Sequence, residues 1–186
     1  NTGLTSGHGA EANTFTVLGV SYTDKGSSGA PALTGRAQAI LQPKTKQAEF
    51  FASTGRVPDG GTNGDAGVTK ETTTDTAGGG QNLGFIEDGD YVSFKPYNLE
   101  NTTGMRFRVA SAGAGGTIEV RLDSPTGTLV GTTANITPTG DWQVFKDVQL
   151  DIATPPTGTH ELFLVFRNRG STQNLFNVNW FEVVGK

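Results

Sequence analysis

Met105-Arg106-Phe107-Arg108-Val109 alternates apolar and charged side chains without a break. In an extended chain successive side chains point to opposite faces, so Met105, Phe107 and Val109 share one face of a strand and the two arginines share the other. Outward from this stretch the same half-buried pattern returns at Ile118, Val120 and Leu122, and Leu83 to Glu87 and Asp90 to Phe94 are further strand candidates. Leu162-Phe163-Leu164-Val165-Phe166 is apolar at every position and calls for the middle of a core, where both faces are covered. Phe176 to Val184 reads as a closing strand. Turn signals fall every 8 to 12 residues or so from Lys46 onward, the spacing of two packed sheets. Residues 54–68, with five glycines and one proline, read as a loop, and Asp88-Gly89-Asp90 as a tight turn between strands.

Composition agrees. The 186 residues include 27 glycines and one methionine, and no segment asks for a long helix, so the chain reads as all-β. Its length suits one main domain plus an extension. Residues 1–13 read as a lead, and Phe15 to Tyr22 and Arg36 to Gln42 flank a Gly, Ser and Pro stretch as a hairpin would. A lone hairpin is marginal in water, so residues 1–45 are expected to lie against the larger body or to end a neighbouring domain. The main domain is expected over 46–186.

Charge and cysteine content exclude several functions. Fourteen Lys and Arg against 18 Asp and Glu give a net charge of −4, with no basic run to neutralise phosphates, which argues against nucleic acid and anionic membranes as partners. No apolar stretch reaches the 18 or so residues that span a bilayer. The absence of cysteine removes disulfides, thiolate metal sites and cysteine nucleophiles. The residues from Asn1 carry neither a charged start nor an apolar run, which leaves a mature secreted segment or an excised module as the expected context.

Catalytic constellations are thin. A serine triad needs a histidine between nucleophile and carboxylate, and the two histidines, His8 and His160, sit near no nucleophile-elbow turn. A glycosidase needs two opposed carboxylates. Glu71, Asp75, Glu87, Asp88 and Asp90 are available, but they read as loop carboxylates serving turns, ligands or solvent. Gly78-Gly79-Gly80 is followed by neither Lys-Ser nor Lys-Thr, so it is a sharply bent loop and not a phosphate cradle. Sugar recognition needs flat aromatic rings for the C–H face of a pyranose and a few polar groups for its hydroxyls. Trp142 follows the turn Thr137-Pro138-Thr139-Gly140-Asp141, which puts its ring either at a loop tip or inward at the start of the next strand with Val144 or Phe145. Trp180, between Val178 and Phe181, reads as core.

The segment Lys70 to Phe94, with Glu71, the glycine run and Gly84-Phe85-Ile86-Glu87-Asp88-Gly89-Asp90, resembles the hallmark of family 6 carbohydrate-binding modules. Further elements follow in that family's order: Gln47-Ala48-Glu49, Arg108 to Ser111, Thr139 to Gln143, Gly158 to Leu162 and Phe176 to Phe181. Together they run from Lys46 to Gly185. The resemblance implies a jelly-roll β-sandwich of two antiparallel sheets that binds a polysaccharide such as xylan, β-glucan or agarose without catalysis. It also implies secretion, a tethered catalytic domain and a monomeric module. By the same resemblance Trp142 and Phe85 clamp the sugar, Phe85 standing where tyrosine is usual. Glu71 and Asn177 pair with hydroxyls, and Thr74 lies nearby. A structural Ca2+ is implied at Gln47, Glu49 and Asn179, where Asn179 replaces a frequent aspartate; Asp65 reads as solvated. A catalytic glycosidase and an adhesive sandwich without sugar affinity are the rival readings.

Overall fold

Met105, Phe107 and Val109 are each 0% exposed, and Arg106 and Arg108 point out of the opposite face, where they pair with Glu182 and with Asp75 and Asp147. The computed structural model describes residues 15–17, 41–62 and 64–185. Its strands are β1 (Phe15–Val17), β2 (Leu41–Pro43), β3 (Thr45–Gln47), β4 (Ser53–Arg56), β5 (Thr69–Thr72), β6 (Gln81–Gly84) and β7 (Asp90–Asn98). They continue as β8 (Thr102–Ala110), β9 (Thr117–Leu122), β10 (Thr128–Thr132), β11 (Lys146–Asp151), β12 (Thr159–Arg167) and β13 (Asn177–Gly185), and a 3-10 turn covers Ala48–Phe50.

One sheet runs β10-β9-β12-β7-β4 and the other β11-β8-β13-β6-β5, with β3 also on β13, and every pairing is antiparallel. The expected β-sandwich is therefore the fold. Its core is filled from both inner faces: Val92, Phe94, Val120, Leu164 and Phe166 from the first sheet meet Leu83, Phe107, Val109, Val178 and Phe181 from the second. Phe94 and Phe181 cross edge to face with centroids 4.9 Å apart, tying the two layers together.

The doubly apolar strand behaves as its pattern requires. Leu162, Leu164 and Phe166 enter this core, and Phe163 and Val165 pack on the other side with Val57 and Tyr91. Two readings need correction. Residues 54–68 are not all loop, because Ser53–Arg56 pair with β7 as an edge strand; Gly55 is needed there, since a Cβ would lie 2.8 Å from the Tyr91 hydroxyl. Trp180 is buried at 7% exposed, but it stands outside the core cluster with the Arg106 guanidinium 5.6 Å from its ring centroid. A bulge between Val178 and Trp180 shifts the alternation of β13, so Val178 and Phe181 face inward and Trp180 does not.

The turn at Asp88 and Gly89 joins β6 of one sheet to β7 of the other, with Asp90 N–H donating to the Glu87 carbonyl at 3.1 Å and Gly89 at φ 84°. Of the N-terminal hairpin, Phe15 to Val17 pair antiparallel with Pro43 to Leu41; the remaining positions, 1–14 and 18–40, lie outside the described residues.

Candidate functional site: an aromatic groove at the sandwich edge

Glu71 is carried by β5, Asn177 by the start of β13, Phe85 by the residue after β6 and Trp142 by the loop before β11. These four line one groove of about 240 Å³, together with Thr72, Gln143 and Asn174. That is below the roughly 300–1,000 Å³ of enclosed small-molecule pockets.

The aromatic wall is built at some cost. Phe85 is 58% exposed and holds φ at 55°, in the left-handed region that side chains with a Cβ avoid. Strain of this kind persists where the surroundings over-determine it, commonly at ligand sites. Trp142 is half-buried and lies in a turn, four residues before β11 begins at Lys146, so the loop-tip alternative is the one the fold adopts. The edge of its indole rests on Gly113, where a Cβ would come within 2.6 Å of Cη2. Its loop is anchored by Thr139 N–H to the Ser111 carbonyl at 2.7 Å and by Ser111 N–H to Thr139 Oγ1 at 2.9 Å.

The polar wall is a connected network. Asn177 Nδ2 donates to Glu71 Oε1 at 2.6 Å and to the Trp142 carbonyl at 2.9 Å, and Asn82 Nδ2 donates to the same Glu71 oxygen at 2.9 Å. Glu71 Oε1 is thus held by two amides, and its carboxylate lies over Gly84, where a Cβ would be 2.6 Å from Cδ. Gln143 closes the network: Nε2 donates to Asn82 Oδ1 at 3.2 Å, and Oε1 accepts from Thr73 Oγ1 and from Thr74 N–H, each at 2.9 Å. Thr74 is exposed and contributes this backbone donor, not a lining side chain, because the adjacent Thr73 takes the inward position.

Gln143, Asn174 and Thr72 also line the groove, and the sequence pattern does not mark them as site residues. Gln143 sat beside Trp142 in the turn motif, the one signal that could have found it; Asn174 and Thr72 are small polar residues among many.

The other carboxylates considered for catalysis lie outside the groove lining. Asp75 is bonded by Arg108 at 2.8 and 3.1 Å, which holds its carboxyl below the usual carboxylate range. Glu87 and Asp90 share Arg56 at 2.8 and 2.7 Å, and Asp88 Oδ1 accepts from Asn168 N–H at 2.9 Å. Among the described lining residues Glu71 is the only carboxylate.

A second polar cluster lies at the turn between β5 and β6. Gln47 and Glu49 are 5% and 2% exposed, and Asn179 is fully buried, with its Oδ1 lacking a hydrogen-bond partner among the described residues. Gly78 and Gly79 let the turn close on them: a Cβ on Gly79 would sit 3.0 Å from Glu49 Oε1, and one on Gly78 would strike the Asn179 amide. Gln47, Glu49 and Asn179 offer hard oxygen donors of the kind calcium takes, three of the roughly six to eight it needs, and Gln47 Oε1 already accepts from Gly79 N–H at 2.9 Å. The residues fit such an ion, with one carboxylate among them; no group of three or more His, Cys, Asp and Glu gathers around a common point among the described residues.

The chain is similar to known proteins over most of its length. Residues 62–185 match the family model described as carbohydrate binding module (family 6). An arabinoxylan arabinofuranohydrolase of Paenibacillus polymyxa is 37% identical over 120 residues, 63% of this chain and 18% of that enzyme. The chain therefore spans less than a fifth of that relative's length. Among solved structures, a family 6 module from Clostridium cellulolyticum in complex with xylose superposes with a TM-score of 0.63 at 36% identity, covering 75% of this chain and 95% of that one. A β-1,3-glucan-binding module of the family from Bacillus halodurans gives 0.64 at 36%, covering 76% and 95%.

Proposed function

The chain belongs to carbohydrate-binding module family 6, and we propose that it grips a β-linked polysaccharide in the edge groove, stacking a sugar ring on Trp142 and Phe85 while Glu71 and Asn177 bond its hydroxyls. The observation that carries this reading is Phe85: a large ring, 58% exposed, held in a strained backbone conformation beside a tryptophan and a pre-ordered amide–carboxylate pair. Exposed aromatics at a groove have the apolar face that a pyranose complements. Thr74 acts through its backbone, on Gln143.

Binding is the whole task of this module. Glycoside hydrolysis needs two carboxylates about 5–10 Å apart across the substrate, and Glu71 has no such companion among the described lining residues. Affinity is expected between micromolar and millimolar, about −8 to −4 kcal/mol, because stacking and solvent-competed hydroxyl contacts supply it. Xylan is the first candidate, given the xylose complex and the arabinoxylan-cleaving relative, and β-1,3-glucan the second. We further infer a secreted protein in which residues 46–186 form a monomeric module and 1–45 an extension; the enzyme it resembles, of which it spans less than a fifth, supports a tethered catalytic domain. Gln47, Glu49 and Asn179 would hold a calcium ion that stabilises the β5–β6 turn.

Affinity electrophoresis in soluble xylan, laminarin and agarose tests the reading, with a reducing-sugar assay beside it. Retardation on at least one glycan without product release is expected; no retardation on any of them, or turnover abolished by Glu71→Gln, would overturn it.

A further inference from the structure

The groove and the β5–β6 turn are joined by one unbroken line of hydrogen bonds. Asn179 Nδ2 donates to Asp75 Oδ2 at 2.9 Å, Asp75 N–H to Thr73 Oγ1 at 3.1 Å, and Thr73 Oγ1 to Gln143 Oε1 at 2.9 Å. Gln143 Nε2 then donates to Asn82 Oδ1 at 3.2 Å, and Asn82 Nδ2 to Glu71 Oε1 at 2.9 Å. Thr73 and Asn82 are 9% and 0% exposed, so water does not compete freely at these two links, while the half-buried Gln143 between them faces the groove.

The topology gives the line a mechanical meaning. Residues 73–80 link β5, which carries Glu71, to β6, which delivers Phe85, so the turn and the groove are two ends of one hairpin. The turn is held by Gly78 N–H to the Asp75 carbonyl at 3.3 Å, by Gly79 N–H to Gln47 Oε1 at 2.9 Å, and by the Arg108–Asp75 pair. Because Asn179 Nδ2 is committed to Asp75, its Oδ1 is left as a buried acceptor with no partner among the described residues, beside Gln47 and Glu49 at the glycine pair. A buried acceptor in that state raises the free energy of the closed turn, and coordination to a cation removes the penalty.

We propose that divalent-cation binding at Gln47, Glu49 and Asn179 and glycan binding in the groove are coupled, with Thr73, Gln143 and Asn82 as the positioning residues that carry the coupling. This rests on the reading of both sites given above. The bistable element is the turn of residues 73–80. Closed, it fixes Thr73 against Gln143, and Gln143 fixes both the Trp142 loop and the Asn82–Glu71 pair; loosened, it releases all three. A ligand that favours the closed turn at one end lowers the ordering cost at the other, and by linkage the enhancement is the same in both directions.

The test uses calcium chloride against EDTA, with soluble xylan and laminarin as probes. We expect glycan affinity to fall roughly 5-fold or more when calcium is removed, within the usual span of coupled sites. Calcium affinity by calorimetry should rise by the same factor at saturating glycan. Thr73→Val should keep calcium binding and remove the calcium dependence of glycan binding. In the unaltered protein, hydrogen exchange at the Asp75, Gly78 and Gly79 amides should slow on adding glycan alone, which tests the link even if the variant does not fold. Calcium bound but glycan affinity unchanged by it would overturn the coupling and leave both site readings standing. No calcium binding would sink the cation reading with it, and no glycan binding the groove reading with it. A melting temperature in EDTA below the assay temperature would also overturn the coupling, since loss of the fold would then account for the loss of binding.

Discussion

Asn177 Nδ2 lies 2.6 Å from Glu71 Oε1 and 2.9 Å from the Trp142 carbonyl, so one amide group fixes both the carboxylate of the groove and the loop that carries its tryptophan. Substitution at Glu71 separates charge from geometry. Glu71→Gln keeps an Oε1 that accepts from Asn177 and Asn82, so stability should hold, while a charge-assisted bond to sugar is lost. A roughly tenfold weaker affinity, about 1.4 kcal/mol, is expected by calorimetry. Unchanged affinity would show that Glu71 only scaffolds the groove.

Trp142→Ala should weaken binding by about 2 kcal/mol or more, as for an anchoring aromatic, while the melting temperature changes little. Its ring rests on Gly113 at the surface and belongs to no core cluster. A collapse of thermal stability would reassign the ring to packing.

At Phe85 the backbone and the ring can be tested apart. Phe85→Gly relieves the left-handed strain at φ 55° but adds chain entropy to the unfolded state, so stability should stay within about 1 kcal/mol while binding falls. Phe85→Tyr keeps the ring and adds a hydroxyl; binding equal to or tighter than the parent is expected. Loss of binding in the tyrosine variant would argue against an open stacking platform.

Asp90 has a structural role close by. Fully buried, it accepts from Arg56 Nε at 2.7 Å, Gly67 N–H at 2.9 Å and Glu87 N–H at 3.0 Å. Asp90→Ala leaves the Gly67 and Glu87 N–H groups without their acceptor while Arg56 keeps Glu87 at 2.8 Å, and should cost about 2–4 kcal/mol in urea unfolding. A loss below about 1 kcal/mol would mean that water replaces the carboxylate.

His160 reports on pH. Its Nδ1 is 2.8 Å from Asp123 Oδ2 and its Nε2 2.9 Å from the Thr157 carbonyl, two acceptors that only the protonated ring can satisfy together. The Asp123 carboxylate first, and the Thr157 carbonyl second, raise its pKa above the ordinary 6.5. A group whose folded pKa is raised stabilises fully below its unfolded pKa and loses that contribution as pH rises through the folded one. The small gain is therefore present below about pH 6.5 and gone on the alkaline side of the His160 titration. NMR titration should put the midpoint of His160 above that of a free histidine, and Asp123→Asn should bring it back down.

The alternation of Met105 to Val109 and the doubly apolar Leu162 to Phe166 were enough to place interior strands, because a side chain between two sheets must be apolar whatever its neighbours are. The strands the pattern passed over are the three-residue β3, which joins β13 off the main path, and β4, β5, β10 and β11, the four outer strands of the two sheets. Edge strands bury little: Thr69–Thr72 and Thr128–Thr132 each lack a fully buried residue, so no periodic signal marks them. For the groove, the motif order pointed to Glu71, Phe85, Trp142 and Asn177 as single positions. Their joining through Gln143 and Asn82 could not be read from the chain, since those residues come from distant segments and the bonds exist only once β5, β6 and the loop before β11 are brought together. Local pattern records which face a residue must hide; partners within hydrogen-bond reach are set by the packing of the two sheets.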